Sequence, residues 1–274
     1  MKKLILCVSV YLIAALQFKY AKADGPVPTV VTTANVDKYC SDMYKQIDFG
    51  SCTRMDEEVF NKAYHGYLNL QAAGKLNNDK QLLTVCDMSK SSTTYRLWVI
   101  DLANKKVLVN DYVAHGQGSG NEFATAFSNR ENSHQTSLGF YVTDQTYIGK
   151  HGLSLHLRGM DQGFNNSAYE RDVVVHGAEY VSPSFVAGQG KLGRSWGCPA
   201  VSTQLAPKLI SMIKDGTCLF IYYPEKNYLQ TAYWLNKKVD HLPGGTDMFN
   251  QYALANTAHD STVANNATPL AKEL

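Results

Sequence analysis

No run of apolar residues after Leu16 is long enough to cross a bilayer, so the body of the chain is not expected to span a membrane. No H-E-x-x-H and no C-x-x-C occurs, which removes two common zinc frameworks. His151 and His156 are near each other in sequence, but at an odd spacing on one strand they would point to opposite faces. No metal or cofactor is therefore expected. An excess of positive charge is also missing. The 26 Lys and Arg against 24 Asp and Glu give +2, and Lys2, Lys3, Lys19 and Lys22 all fall before residue 24. Without those four lysines, 22 cations face 24 anions, and +2 becomes −2. That balance gives no electrostatic case for nucleic acid or an anionic membrane as partner. No internal repeat is visible.

What the chain does have begins with its first 23 residues. Lys2 and Lys3 precede a short apolar core, Leu4 to Leu16, and Ala21-Lys22-Ala23 offers small residues where a signal peptidase reads. This is the pattern of a cleaved secretory signal, and an exported location in the periplasm or cell envelope is expected. Cys7 lies inside the apolar core behind Leu6 and does not resemble a lipid-attachment site. Five cysteines then remain: Cys40, Cys52, Cys86, Cys198 and Cys218. An odd count in an oxidising compartment leaves at least one thiol unpaired. Cys40 with Cys52 and Cys86 with Cys218 are possible pairs. Alternatively, Cys86 and Cys218 are reduced core residues. If either or both pairs close, Cys198 is the thiol left over.

Residues 24–80 read as an extended Pro/Thr-rich leader, up to about residue 36, followed by a helical extension. In "TRMDEEVFNKAYHGYLNLQAAG", Val59, Phe60, Ala63, Tyr64, Tyr67 and Leu68 form one apolar stripe. Thr53 with Asp56 resembles a capping box, Gly74 suits the end, and His65 falls on the surface side. From residue 82 the period shortens. "LLTVCDM", "YRLWVID", "KVLVNDYVAH", "LGFYVTD", "LSLHLRG", "DVVVHGA" and "TCLFIYYP" read as strands. "STQLAPKLISMIKDG" reads as a helix following Cys198. The expected fold is mainly β (α+β), with residues 81–235 as the main domain and 236–274 as a polar, flexible tail.

"SWGCPAVS" sets Cys198 between Gly197, which relaxes the backbone, and Pro199, which fixes it and removes an amide donor. A nucleophilic thiol needs a base, and histidine is the usual one. His241 and His259 lie in the tail, His65 on the helix and His134 in a polar loop. His176 is the best candidate, because Val173 to Val175 would deliver it to a sheet edge and Gly177 would keep the approach open. His115-Gly116 repeats the arrangement and could line the same cleft. The candidates in ordered elements all precede Cys198, the reverse of the papain order. Backbone N–H groups around Gly197 and Cys198 would supply the oxyanion donors. Ser195 would orient a partner, bind substrate or simply shape the turn.

"VVVHGA" and "GRSWGCPA", with "TSLGFYVT" and "HGLSLHLRG" before them, resemble the murein L,D-transpeptidase catalytic-domain family over roughly residues 80 to 224. The chain resembles a less characterised branch with a G-R-S-x-G-C-P pattern. It differs from the better-known branch in carrying Trp196 for a histidine and Ala200 for an arginine or asparagine. It also has a longer interval, "AEYVSPSFVAGQGKLGR", which would act as a lid. The resemblance implies a β-sandwich-like fold, Cys198 as nucleophile, His176 as base and peptidoglycan stem peptides as substrate. Transpeptidation or L,D-carboxypeptidation through a Cys thioester, and acylation by a carbapenem β-lactam, follow from it. Arg158, Arg194, Trp196, Gly177 and His115 are the candidate cleft residues. The readings in competition are a non-catalytic wall-binding module on the same fold and a cysteine peptidase cutting another bond.

Overall fold

The computed structural model describes residues 33–240 and 242–243. Two helices come first: α1 (Thr33–Gln46) and α2 (Glu57–Ala72). The strands are β1 (Leu82–Asp87), β2 (Leu97–Asp101), β3 (Lys106–Asp111), β4 (Gly139–Gly149), β5 (Gly152–Gly159), β6 (Val174–Gly177), β7 (Ala200–Val201) and β8 (Cys218–Tyr222). Helix α3 (Pro183–Gln189) lies between β6 and β7, α4 (Ala206–Ile213) between β7 and β8, and α5 (Lys226–Thr231) and α6 (Tyr233–Asn236) follow.

The mainly β expectation holds, with a helix after Cys198 and helices at the N-terminal side. The expected sandwich is realised as one curved, nearly barrel-shaped mixed sheet in the order β3-β2-β1-β8-β4-β5-β6-β7. β6 and β8 are buried end to end, and β1 and β2 nearly so, which is why they read as continuous apolar runs. β3, nearer one edge, begins with alternating exposed and buried residues. Helix α2 lies close on the sheet through Gly66. A Cβ there would come within 2.0 Å of the Phe140 ring, which itself stacks on Phe220 at 4.2 Å.

Several local expectations change. The extended leader ends earlier than residue 36, because Val36, Tyr39, Cys40 and Tyr44 recur at helical spacing and are buried in α1. The capping box does not form. Asp56 is the N-cap of α2 but makes no side-chain cap bond, and its carboxylate takes Lys90 at 3.0 Å. His65 is not a free surface group, since its Nε2 lies 2.9 Å from the Lys237 carbonyl. Nor does the packed body stop at residue 236: Val239 and Leu242 are buried. Residues 1–32, with the expected signal and most of the leader, and most of the tail lie outside the described residues.

All five cysteines after Cys7 are free thiols. In the parallel β1–β8 ladder, Leu83 opposes Cys218 and Cys86 opposes Ile221. Cys86 and Cys218 therefore point to opposite faces, and no bridge can join them. Burial pushes the Cys86 thiol up to about 12, which makes it inert packing.

Candidate active site

β6 runs parallel to β7, with His176 opposite Ala200. Cys198, two residues ahead of Ala200, comes level with Val174. The Val174 N–H donates to Cys198 Sγ over 3.5 Å, and Sγ donates to the Asp172 carbonyl over 3.6 Å. Val174 and His176 are two apart on one strand and share a face. Cys198 and His176 are thus diagonal neighbours on that face, and both line a cleft of about 940 Å³.

The imidazole of His176 is anchored through Nδ1, 3.0 Å from the Gly177 carbonyl oxygen. A carbonyl only accepts, so Nδ1 carries the proton and the Nε2 lone pair is free. Burial pulls the His176 pKa down, and His151 and Lys150 act in the same direction against the Gly177 bond. Burial pushes the Cys198 thiol up, opposed by the Val174 amide and by the positive charges of Arg171 and Lys150. The resting state is a neutral thiol beside a neutral imidazole.

The turn that presents Cys198 is tied by Ser195. Its hydroxyl donates to the Cys198 carbonyl at 2.6 Å and accepts from the Gly197 N–H at 3.1 Å. The Gly197 amide is therefore spent inside the turn. Of the two expected oxyanion donors, only the Cys198 N–H is left without a hydrogen-bond partner among the described residues. Gly197 has φ +123°, and a Cβ there would sit 2.8 Å from the Gln135 carbonyl oxygen.

The other expected residues divide. Arg194 and Trp196 line the cleft; Arg194 also donates to the Gly120 carbonyl at 2.9 Å. His115 does not line it. It is buried behind the Cys198 turn, its carbonyl accepts from Ser195 N–H, and its Nδ1 accepts from Arg96 at 2.8 Å. Burial and that guanidinium pull it down to about 4, so it stays neutral. Gly177 does not open the approach to the cleft. A Cβ there would meet Ala206 at 3.1 Å and Thr203 at 3.2 Å, so the glycine lets the segment entering α4 pack on β6. Arg158 is paired with Asp144 at 2.6 Å and lies over Tyr169, outside the cleft lining. Ala200 shares the His176 face but is fully buried in a cluster with Ala114 and Ala178, so the residue at this position is covered and does not line the cleft. The inserted interval frames the cleft rather than covering it: Tyr180 and Arg194 at its ends line the cleft, while α3 does not.

Among the cleft residues given no catalytic role from sequence, five shape the site. Arg171 donates to the Ser128 and Gln135 carbonyls and to the Ser137 and Ser133 hydroxyls, which pins the loop against the cleft. His134 stacks on Trp196 with ring centroids 5.0 Å apart. Lys150 Nζ lies 5.2 Å from the centre of the same indole. His151 stacks on His176 at 4.4 Å. Tyr180 completes that wall, with Gly193 making room for its ring. The one local signal was the charged "ERD" ahead of "VVVHG"; the remaining contacts join residues far apart in sequence.

A family model described as an L,D-transpeptidase catalytic domain matches residues 52–222. Among solved structures, an L,D-transpeptidase from Mycobacterium smegmatis is similar at 17% identity and a TM-score of 0.32, covering 52% of this chain and 59% of that one. A Mycobacterium tuberculosis L,D-transpeptidase 1 structure gives 16% identity and a TM-score of 0.29, covering 52% and 62%. The L,D-transpeptidase (residues 123–326) from Xylanimonas cellulosilytica gives 14% and 0.29, covering 73% and 100%. The chain thus spans about 60% of the length of the two mycobacterial structures. No curated protein matches.

Proposed function

The chain belongs to the L,D-transpeptidase catalytic-domain family, and we propose that it is an exported cysteine acyltransferase acting on peptidoglycan stem tetrapeptides. The observation that carries this reading is the placement of Cys198 and His176 on one face of the β6–β7 edge, with Nδ1 of the histidine held by Gly177. Export rests on the signal pattern of residues 1–23; among the described residues no helix is long and apolar enough to cross a membrane.

The chemistry follows from the neutral pair. His176 Nε2 takes the thiol proton as Sγ attacks the carbonyl of the third stem residue. The Cys198 N–H faces the developing oxyanion. The C–N bond to the terminal D-alanine breaks, the imidazolium proton passes to its amine, and a thioester remains on Cys198. An acceptor amine then attacks, gives its proton to His176 and releases the thiolate. An amine of a neighbouring stem yields an L,D-crosslink; water yields a tripeptide. Arg194 and Lys150, two of the cations that line the cleft, would meet substrate carboxylates.

The test is incubation with a disaccharide tetrapeptide and mass analysis for loss of D-alanine and for dimers. Wild type is expected to release D-alanine, and Cys198→Ala to release none while melting at the same temperature. Full turnover by Cys198→Ala overturns the proposal, as does muropeptide binding by wild type with no cleavage. A covalent carbapenem adduct of unit stoichiometry on Cys198 is the companion expectation.

A further inference from the structure

β4 and β5 form a hairpin whose last ladder pair is Gly149 with Gly152, leaving Lys150 and His151 as its two-residue tip. Gly152 has φ +75° and nothing within 4 Å of an added Cβ, so backbone conformation rather than space demands glycine there. The tip is fastened at two points. The exposed His151 ring lies on the buried His176 ring, centroids 4.4 Å apart and planes 27° apart. Lys150 Nζ lies 5.2 Å from the centre of Trp196, two residues from Cys198. One hairpin tip therefore touches both the strand of the base and the turn of the nucleophile.

We infer that His151 is a positioning residue for the base: its neutral ring covers the His176 imidazole and holds the plane that aims Nε2 into the cleft, and its protonation turns the site off. The inference rests on the assignment of His176 and Cys198 as base and nucleophile. The Gly177 bond fixes one edge of the His176 ring, which leaves rotation about that bond to be limited by what packs on the ring face. His151 supplies that packing. An uncharged ring also tolerates the imidazolium that forms when the thiol proton moves. A protonated His151 sets a like charge 4.4 Å away and opposes it. Lys150 is the other charge acting on both rings. Arg171, Arg194, Glu170 and Asp172 share the cleft, and His156 faces it from β5, stacked on Tyr147.

The test uses the full chain as wild type, His151→Ala, His151→Phe and His151→Lys. Acylation by a carbapenem is followed by intact mass against pH. His151→Ala is expected to lose about tenfold or more in the limiting acylation rate with little change in half-saturating concentration. Phe, a flat uncharged ring, restores most of the rate near neutral pH, and Lys fails at every pH. The acid limb of log rate against pH approaches a slope of two in wild type and stays at one in His151→Phe. Wild-type rates in His151→Ala or His151→Lys, or no rescue by Phe, overturn the inference. Imidazole NMR titration gives a readout that needs no activity. His176 is expected to show two inflections in wild type and one in His151→Phe. One inflection in both also overturns the pairing. Failure of wild type to be acylated, with the two-inflection curve intact, instead counts against the proposed reaction.

Discussion

Ser195 and Gly197 do the geometric work that makes Cys198 usable. The serine hydroxyl closes the turn from both sides, to the Cys198 carbonyl and from the Gly197 amide. The glycine occupies a φ that L side chains rarely adopt and faces the Gln135 carbonyl at a distance no Cβ tolerates. Gly197→Ala is expected to cost about 1–3 kcal/mol in chemical denaturation and to lower carbapenem acylation at least tenfold by displacing Sγ. A melt and an acylation rate equal to wild type would contradict this account. The cysteine between two breakers was legible in sequence because Gly and Pro mark backbone constraints locally. His176 was legible because a valine run points to a buried strand. Arg171 was not, since its four acceptors lie between residues 128 and 137. Nor was the neutral role of His115, which depends on the buried guanidinium of Arg96.

At the scale of elements, the strands were legible and four of the six helices were not. Seven of the eight strands announce themselves: β1, β2, β6 and β8 as continuous apolar runs buried on both faces or nearly so, and β3, β4 and β5 as β-branched and aromatic runs interrupted by exposed positions. β7 has only two residues, too few to show a period. α3, α5 and α6 are seven residues or shorter, below the length at which periodicity separates from noise. α1 is long enough, but its polar composition hides an apolar stripe that matters only because α2 is there to receive it, with Tyr39 stacked on Tyr64 at 5.9 Å. α2 was readable from its stripe, yet its closest contact was not, because a glycine gives no hydrophobic signal. Gly66→Ala drives a methyl group into Phe140, which Phe220 holds in place. The expected loss is about 1–3 kcal/mol or more, measured by urea unfolding, with activity per folded molecule unchanged. An equally stable variant would mean that α2 does not lie this close to β4.

Over the whole molecule, one carboxylate joins the sheet to the C-terminal helices. Asp161, in the connection after β5, accepts from the Phe140 N–H of β4 at 2.8 Å and from the Tyr228 hydroxyl of α5 at 2.9 Å. Nearby, Trp234 of α6 donates to the Met160 carbonyl at 2.8 Å, and Asn69 of α2 donates to the Trp234 carbonyl at 3.0 Å. Burial is the largest influence on Asp161 and raises its pKa from 3.8 to about 6, against the hydrogen bonds from Phe140, Tyr228 and Trp234. The folded state therefore holds this proton more tightly than the unfolded chain. The resulting stability is full below pH 3.8 and is lost as pH rises through about 6. A shift of this size corresponds to roughly 3 kcal/mol before relaxation. Asp87 and Asp111 shift in the same direction, so the wild-type curve alone does not isolate Asp161. Its difference from Asp161→Asn does. Asparagine keeps the acceptor and cannot ionise, so the stability of wild type relative to the variant is expected to fall between pH 4 and pH 6.5 and then level off. Melting curves at half-unit pH intervals measure this directly. A difference that does not change with pH would show that burial and the hydrogen bonds cancel, so that Asp161 has the same pKa in the folded and unfolded chain; a difference that rises with pH would show that the hydrogen bonds outweigh burial.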